Sequence, residues 1–137
     1  MGAWGAGTFE NDNACDFAAE IANCSDLKKI EAAFDKVLKA GTGYLEAPDA
    51  EEALAAADIV ARLQGKFGQR DAYTEEIDKW AESNKVTLAP SADLLEKACR
   101  VLVRVMIEPS ELAELWEESD EADSWKASVN ELSQRLS

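Results

Sequence analysis

The chain has 137 residues, 47% of them apolar, and carries 28 acidic against 14 basic side chains, a net charge of −14. That length supports one hydrophobic core without disulfide or metal staples but not a second full domain, and the charge disfavours direct binding to nucleic acid or an anionic membrane. Histidine is absent, which removes His-based triads, His general bases and mixed His zinc sites; no apolar run approaches the ~18 residues of a membrane span, so a cytoplasmic location is expected.

The opening from Met1 to Phe9 is rich in glycine and aromatics but has no period. It reads as an extended or turning arm whose Trp4 and Phe9 plug the core, since these aromatics would otherwise leave apolar area exposed. Asn11 or Asp12 starts a first helix with Ala14, Phe17, Ala18 and Ile21 on one face, and Ser25 is placed to cap a second. That second helix carries Leu27, Ile30, Phe34, Val37 and Leu38 and closes at Gly41 and Gly43. After a loop holding Tyr44 and Leu45, Asp49 and Glu52 have capping-box spacing for an alanine-rich helix running to about Gln64, with Ala53, Leu54, Ala57, Val60 and Ala61 inward. Gly65 to Gly68 interrupts the chain, and Thr74 is placed to cap a short helix around Ile77 and Trp80. Pro90-Ser91 begins the most apolar helix, Leu94 to about Ile107. Pro109-Ser110 begins a short one holding Leu112, Leu115 and Trp116, and Trp116 is expected in the protein's own core. The last helix shows the row Ala122, Trp125, Val129, Leu132, Leu136. No stretch alternates at period two. The expected fold is all-α: one domain over residues 1–137, a bundle of about six or seven helices with the N-terminal arm packed on it.

Cys15, Cys24 and Cys99 form an odd set without a C-x-x-C pair, so reduced thiols are expected, with Cys99 a small core residue in the row Leu95, Leu102, Met106. The run Met1-Gly2-Ala3-Trp4-Gly5-Ala6-Gly7-Thr8-Phe9-Glu10-Asn11-Asp12, followed by Asp16, resembles the opening of a bacterial family named domain of unknown function 4259. Gly43 to Ala47 leading into Glu52–Ala61, and Leu112 to Glu117 followed by Asp123-Ser124-Trp125, are similar to it as well. The resemblance implies a bacterial single-domain protein and carries no catalytic residue across.

Three groups of residues invite chemistry. Glu10, Asp12, Asp16 and Glu20 put four carboxylates within eleven residues, and the last three share a helix face, as an oxygen-ligand Mg²⁺ or Ca²⁺ site needs; without an EF-hand glycine they equally suit a capping Asp12 and two solvated side chains. Gly5-Ala6-Gly7 lacks the third glycine and the lysine of phosphate-binding loops, and reads as backbone turns around Trp4. The segment Glu108 to Asp123 holds eight acidic side chains and no basic one. If helical, Glu111, Glu114 and Glu118 stack at i, i+3 and i+7, and Glu117 with Glu121 adds a like-charge pair at a cost of ~0.2–0.5 kcal/mol. Such a segment serves either as a solubility face or as a surface for a cationic partner. Lys97, Arg100 and Arg104 form a basic stripe that Asp93 and Glu96 are spaced to neutralise within the helix, or that contacts the acidic segment.

These features point to a non-enzymatic acidic protein that binds and neutralises a basic partner protein, a toxin for instance, as immunity and antitoxin proteins do. Its partner-binding residues would be Glu111, Glu114, Glu117, Glu118, Asp120 and Glu121. No catalytic residue, metal ligand or cofactor is expected. Two other classes stay open: a carboxylate-based metal-dependent hydrolase, which needs Glu46 or Asp49 beside Glu10, Asp12 and Asp16, and an acidic mimic of nucleic acid.

Overall fold

The computed structural model describes residues 5–137. Seven helices follow one another: α1 (Asp12–Ile21), α2 (Lys28–Lys39), α3 (Ala47–Leu63), α4 (Glu75–Asn84), α5 (Ala92–Met106), α6 (Glu111–Glu117) and α7 (Ala122–Leu136). The expected all-α bundle is what the chain forms. Among the described residues no strand forms, and an isolated parallel bridge joins Leu45 to Ser110.

The organising element is α3. Every residue from Ala53 to Leu63 is buried, so this helix is covered on all sides, and it packs against α1, α2, α4, α5, α6 and α7. Its alanines make that possible, because small side chains let neighbouring backbones approach closely. The surrounding helices bury single stripes at the expected spacing: Phe17 and Ile21 from α1, Ile30, Phe34 and Val37 from α2, Trp125, Val129 and Leu132 from α7. Phe9 is fully buried, which ties the arm into the core; Trp4 lies outside the described residues. From Gly5 the arm proceeds by bends rather than as an extended strand. At Gly7 a Cβ would sit 2.6 Å from Glu10 Oε1, the same oxygen that accepts the Gly7 amide at 2.9 Å, so any side chain here would push aside the carboxylate that closes the turn.

Several helix starts differ from expectation. Of the two expected starts it is Asn11 that caps α1, its Oδ1 accepting Ala14 N at 2.8 Å. Ser25 caps nothing in α2: Asp26 Oδ1 accepts Lys28 N at 3.1 Å, a turn that delays the helix until after Leu27. The capping box at Asp49 and Glu52 does not form, because Pro48 suits the first turn and α3 begins two residues earlier, at Ala47. Its Ala47 amide donates instead to Glu111 Oε1 of α6, at 2.7 Å. Thr74 stands at the N-cap of α4, but its hydroxyl donates to Asp78 Oδ2 rather than accepting from the helix. Ser91 and Ser110 cap α5 and α6 as their positions suggest. Cys99 is half-buried at the edge of the core, and all three thiols are free.

Arg104 was one of three residues in the basic stripe, yet it is buried. Its guanidinium donates to the carbonyls of Gly41, Gly43, Ile107 and Pro109 at 2.7–3.0 Å, clamping the α2–α3 loop to the start of α6. Gly41, with φ of 54°, supplies the left-handed turn that presents its carbonyl there. Lys97 pairs with Asp35 of α2 at 2.6 Å, not with Asp93, because α2 lies alongside α5 and brings a carboxylate closer than the helix's own. That contact holds the Asp35 carboxyl below its usual range.

Candidate functional site

The acidic segment does not behave as one surface. Its helix ends at Glu117, with Glu118 as the C-cap, so the predicted stack of Glu111, Glu114 and Glu118 stops after one turn, and Glu121 belongs to the start of α7. Glu111 caps α3 from outside, as described above. Glu114 Oε2 accepts the Tyr44 hydroxyl at 2.9 Å; partial desolvation and this carboxylate push the Tyr44 phenol up to about 12. Glu117 pairs with Lys126 at 2.9 Å and raises that ammonium's pKa. Glu118, Asp120 and Glu121 stand exposed in the α6–α7 turn, where Glu121 N donates to Ser119 Oγ. Trp116 is buried in the protein's own core, parallel to Trp125 with ring centres 6.3 Å apart.

The N-terminal carboxylates do not converge either. Glu10 closes its own turn, Asp12 and Asp16 point outward from α1, and Glu20 pairs with Lys29 at 3.4 Å. Asp49, one of the ligands a metal-dependent hydrolase would need, lies 3.8 Å from Lys36. Among the described residues no three His, Cys, Asp or Glu side chains group as a metal site. The outer face of α1 does border a hollow. Between it and the loop leading into α4 is an open hollow of about 430 Å³, lined by the buried Ala18 and Ile77 and by the exposed Ala19, Tyr73, Glu75 and Glu76. Cys15 lines it as well, its thiol donating to the Phe9 carbonyl at 3.1 Å. Burial, then the charges of Asp12, Asp16 and Asp71, push that thiol's pKa up.

The feature that sequence reasoning missed is a cluster of buried charge. Arg62 of α3 is fully buried, and its guanidinium donates to Asp58 Oδ1, to Asp78 Oδ1 at 2.8 Å and to the Gln69 carbonyl. Arg135, from the end of α7, donates to both oxygens of Asp58 at 3.2 and 2.9 Å. Thr74 completes Asp78 from the α4 N-cap, and the Arg62 guanidinium carbon sits 4.9 Å from the centre of the Phe9 ring. Burial lowers the Arg62 pKa from its ordinary value, and the hydrogen-bonded Asp78 opposes that shift. A signal for the cluster was present: Asp58 and Arg62, at i and i+4, are the only charged residues between Ala53 and Leu63. Charges that survive in a stripe buried on every side need partners.

A family described as Domain of unknown function (DUF4259) matches residues 2–128. The chain belongs to that family. No curated protein and no solved structure matches it. The DUF4259 match takes in the turn at Gly7, the whole acidic segment, and Asp58, Arg62 and Asp78, while Arg135 lies beyond it. It also takes in Glu51, which is 4% exposed on α3 and whose Oε1 accepts the Asn13 side chain at 2.8 Å. Burial pushes the Glu51 carboxyl up from its usual range, the Asn13 hydrogen bond partly opposing it. The cavity bordering Glu51, Trp116 and Trp125 measures about 10 Å³, far below the ~300–1,000 Å³ of small-molecule sites. No helix among the described residues is long and apolar enough to cross a membrane.

Proposed function

We propose that the chain is a non-enzymatic interaction protein that binds and neutralises a basic partner protein, in the manner of an immunity or antitoxin protein. One observation carries this reading: the buried charges nearly cancel, with Glu51, Asp58 and Asp78 set against Arg62 and Arg104. Almost all of the −14 net charge therefore sits on side chains with access to solvent. A surface so charged attracts a cationic protein over distances set by the Debye length, ~10 Å at 0.1 M salt, and speeds encounter even where single exposed ion pairs add little affinity. The α6–α7 turn contributes Glu118, Asp120 and Glu121 to this field, whereas Glu111, Glu114 and Glu117 divide their charge between the surface and contacts within the chain.

The test is co-purification of the intact chain from the cells that encode it, followed by identification of what is retained and stopped-flow measurement of association. A basic protein that loses its own activity on binding, with an association rate that falls steeply as salt rises, is the expected result. Retention of only neutral or acidic proteins, or a rate indifferent to salt, overturns the reading.

A further inference from the structure

We propose that the segment Gly65–Arg70 is a strap that opens as a unit while the bundle stays folded, and that the last turn of α7 is its latch. The strap leaves α3 at Gly65, whose φ of 80° makes the left-handed turn that ends the helix. From there to Arg70 it belongs to no helix, and side chains from elsewhere hold it down. Arg62 of α3 donates to the Gln69 carbonyl, and Arg135 of α7 donates to the Lys66 carbonyl at 3.3 Å. Lys66 Nζ in turn donates to the Ser137 backbone oxygen at 3.0 Å. The Phe67 ring meets the guanidiniums of Arg62 and Arg70, whose central carbons lie 5.8 and 4.5 Å from its centre. Strap and latch touch directly: a Cβ at Gly68 would stand 2.5 Å from the guanidinium carbon of Arg135.

The closed strap is opposed from within. Gln69 Oε1 is buried and has no hydrogen-bond partner among the described residues. Its place is fixed, because Gln69 Nε2 donates to Asp71 Oδ2 at 2.8 Å and exchanging the two ends of the amide would set oxygen against carboxylate. A buried acceptor without a donor costs stability while the strap is down, and it recovers a water when the strap lifts. The two holders differ in their freedom to let go. Arg62 is fully buried in the middle of the bundle, whereas Arg135 sits one residue from the end of α7, where helices fray, and keeps its place through Asp58 and Glu131. Whatever draws Arg135 away from Asp58 therefore frees the strap and bares Phe67 and the Asp58 side of the ion cluster; by the same linkage, whatever engages the open strap loosens the last turn of α7.

Limited digestion of the full chain with trypsin tests this, with the rate of cutting after Lys66 read by mass spectrometry. The bond after Arg100, within α5, reports opening of the whole bundle in the same digest, and a synthetic peptide of residues 62–74 gives the rate for an unlatched strap. In wild type the bond after Lys66 is expected to be cut about tenfold or more slowly than in the peptide, yet faster than the bond after Arg100. Arg135→Met should remove most of that protection without a matching rise after Arg100. Gly68→Ala should act in the same direction with every charge kept, since Gly68 has no positive φ and alanine works there only by pushing Arg135 aside. Gln69→Met removes the orphaned oxygen and should slow cutting about threefold or more, whereas a merely loose loop would lose its contact to Asp71 and be cut faster. Wild-type cutting at the rate of the peptide overturns the closed strap. Equal acceleration of both bonds by Arg135→Met overturns the separate opening unit, no acceleration by either Arg135→Met or Gly68→Ala overturns the latch, and faster cutting of Gln69→Met overturns the opposition from Gln69.

Discussion

The charges around Arg62 and the charges around the α6–α7 turn are the same kinds of side chain in opposite circumstances. Asp58 and Asp78 are nearly inaccessible, and each is met by at least two donors from different parts of the chain: Arg62 and Arg135 for the first, Arg62 and Thr74 for the second. Glu118, Asp120 and Glu121 are exposed and crowded together. An ion inside the protein loses several kcal/mol of hydration and is tolerated only when partners replace the water, so burial enforces balance. On the surface, solvent and salt screen the repulsion and an unbalanced set survives. The lesson is that net charge says little about where the fold invests its electrostatics: the strongest pairings here involve the least visible residues.

The comparison breaks most decisively at Arg62. Arg62→Met leaves Asp58 and Asp78 without their shared cation, and urea unfolding at pH 7 is expected to show a loss of ~3–5 kcal/mol, the cost of removing one partner from a buried ion pair. A loss below ~1 kcal/mol would mean that Arg135 and Thr74 already satisfy these carboxylates without Arg62. A smaller effect sharpens the contrast inside the acidic segment itself. Glu111→Ala removes the acceptor from the first amide of α3 and should cost ~1 kcal/mol, as loss of a helix cap does. Combined Glu118→Gln, Asp120→Asn and Glu121→Gln should move stability by less than ~0.5 kcal/mol per site. Equal costs for the two would place all the acids of this segment in one class.

The finest test uses pH. Glu51 is a buried acid whose hydrogen-bond partner among the described residues is a neutral amide, and its carboxyl pKa is raised from its ordinary value in the folded state, burial being the main cause. A raised folded pKa means a contribution that is fully present below the unfolded value and is lost as pH rises through the folded one. Glu51→Gln keeps the shape and an oxygen for Asn13 but cannot ionise. Its melting midpoint relative to wild type should therefore rise between pH 4 and pH 7. A difference that stays flat across that range would show that Glu51 is as well solvated in the fold as out of it.

Much of the fold was readable in the chain because helix formation is largely a local matter. The stripes of α1, α2, α5 and α7 recur at the helical period, and Asn11, Ser91 and Ser110 act as caps on amides three residues away. The same local logic failed at Asp49 and Glu52, where the capping pattern was present but the amide to be capped lay earlier and was met by Glu111, 64 positions along the chain. Periodicity also could not tell that Lys97 would find Asp35 rather than a carboxylate on its own helix.

What the sequence determined alone was which segments are helical, which face of each is apolar, and that the surface is strongly acidic, since composition and period are properties of neighbours in the chain. What the tertiary structure decided was the partner of each charge. Asp58 meets Arg135 across 77 positions, Tyr44 meets Glu114 across 70, and Arg104 reaches carbonyls more than 60 residues away. A side chain's electrostatic role depends on what is within about 4 Å of it and how far water is excluded. Both are settled only when the helices pack around α3.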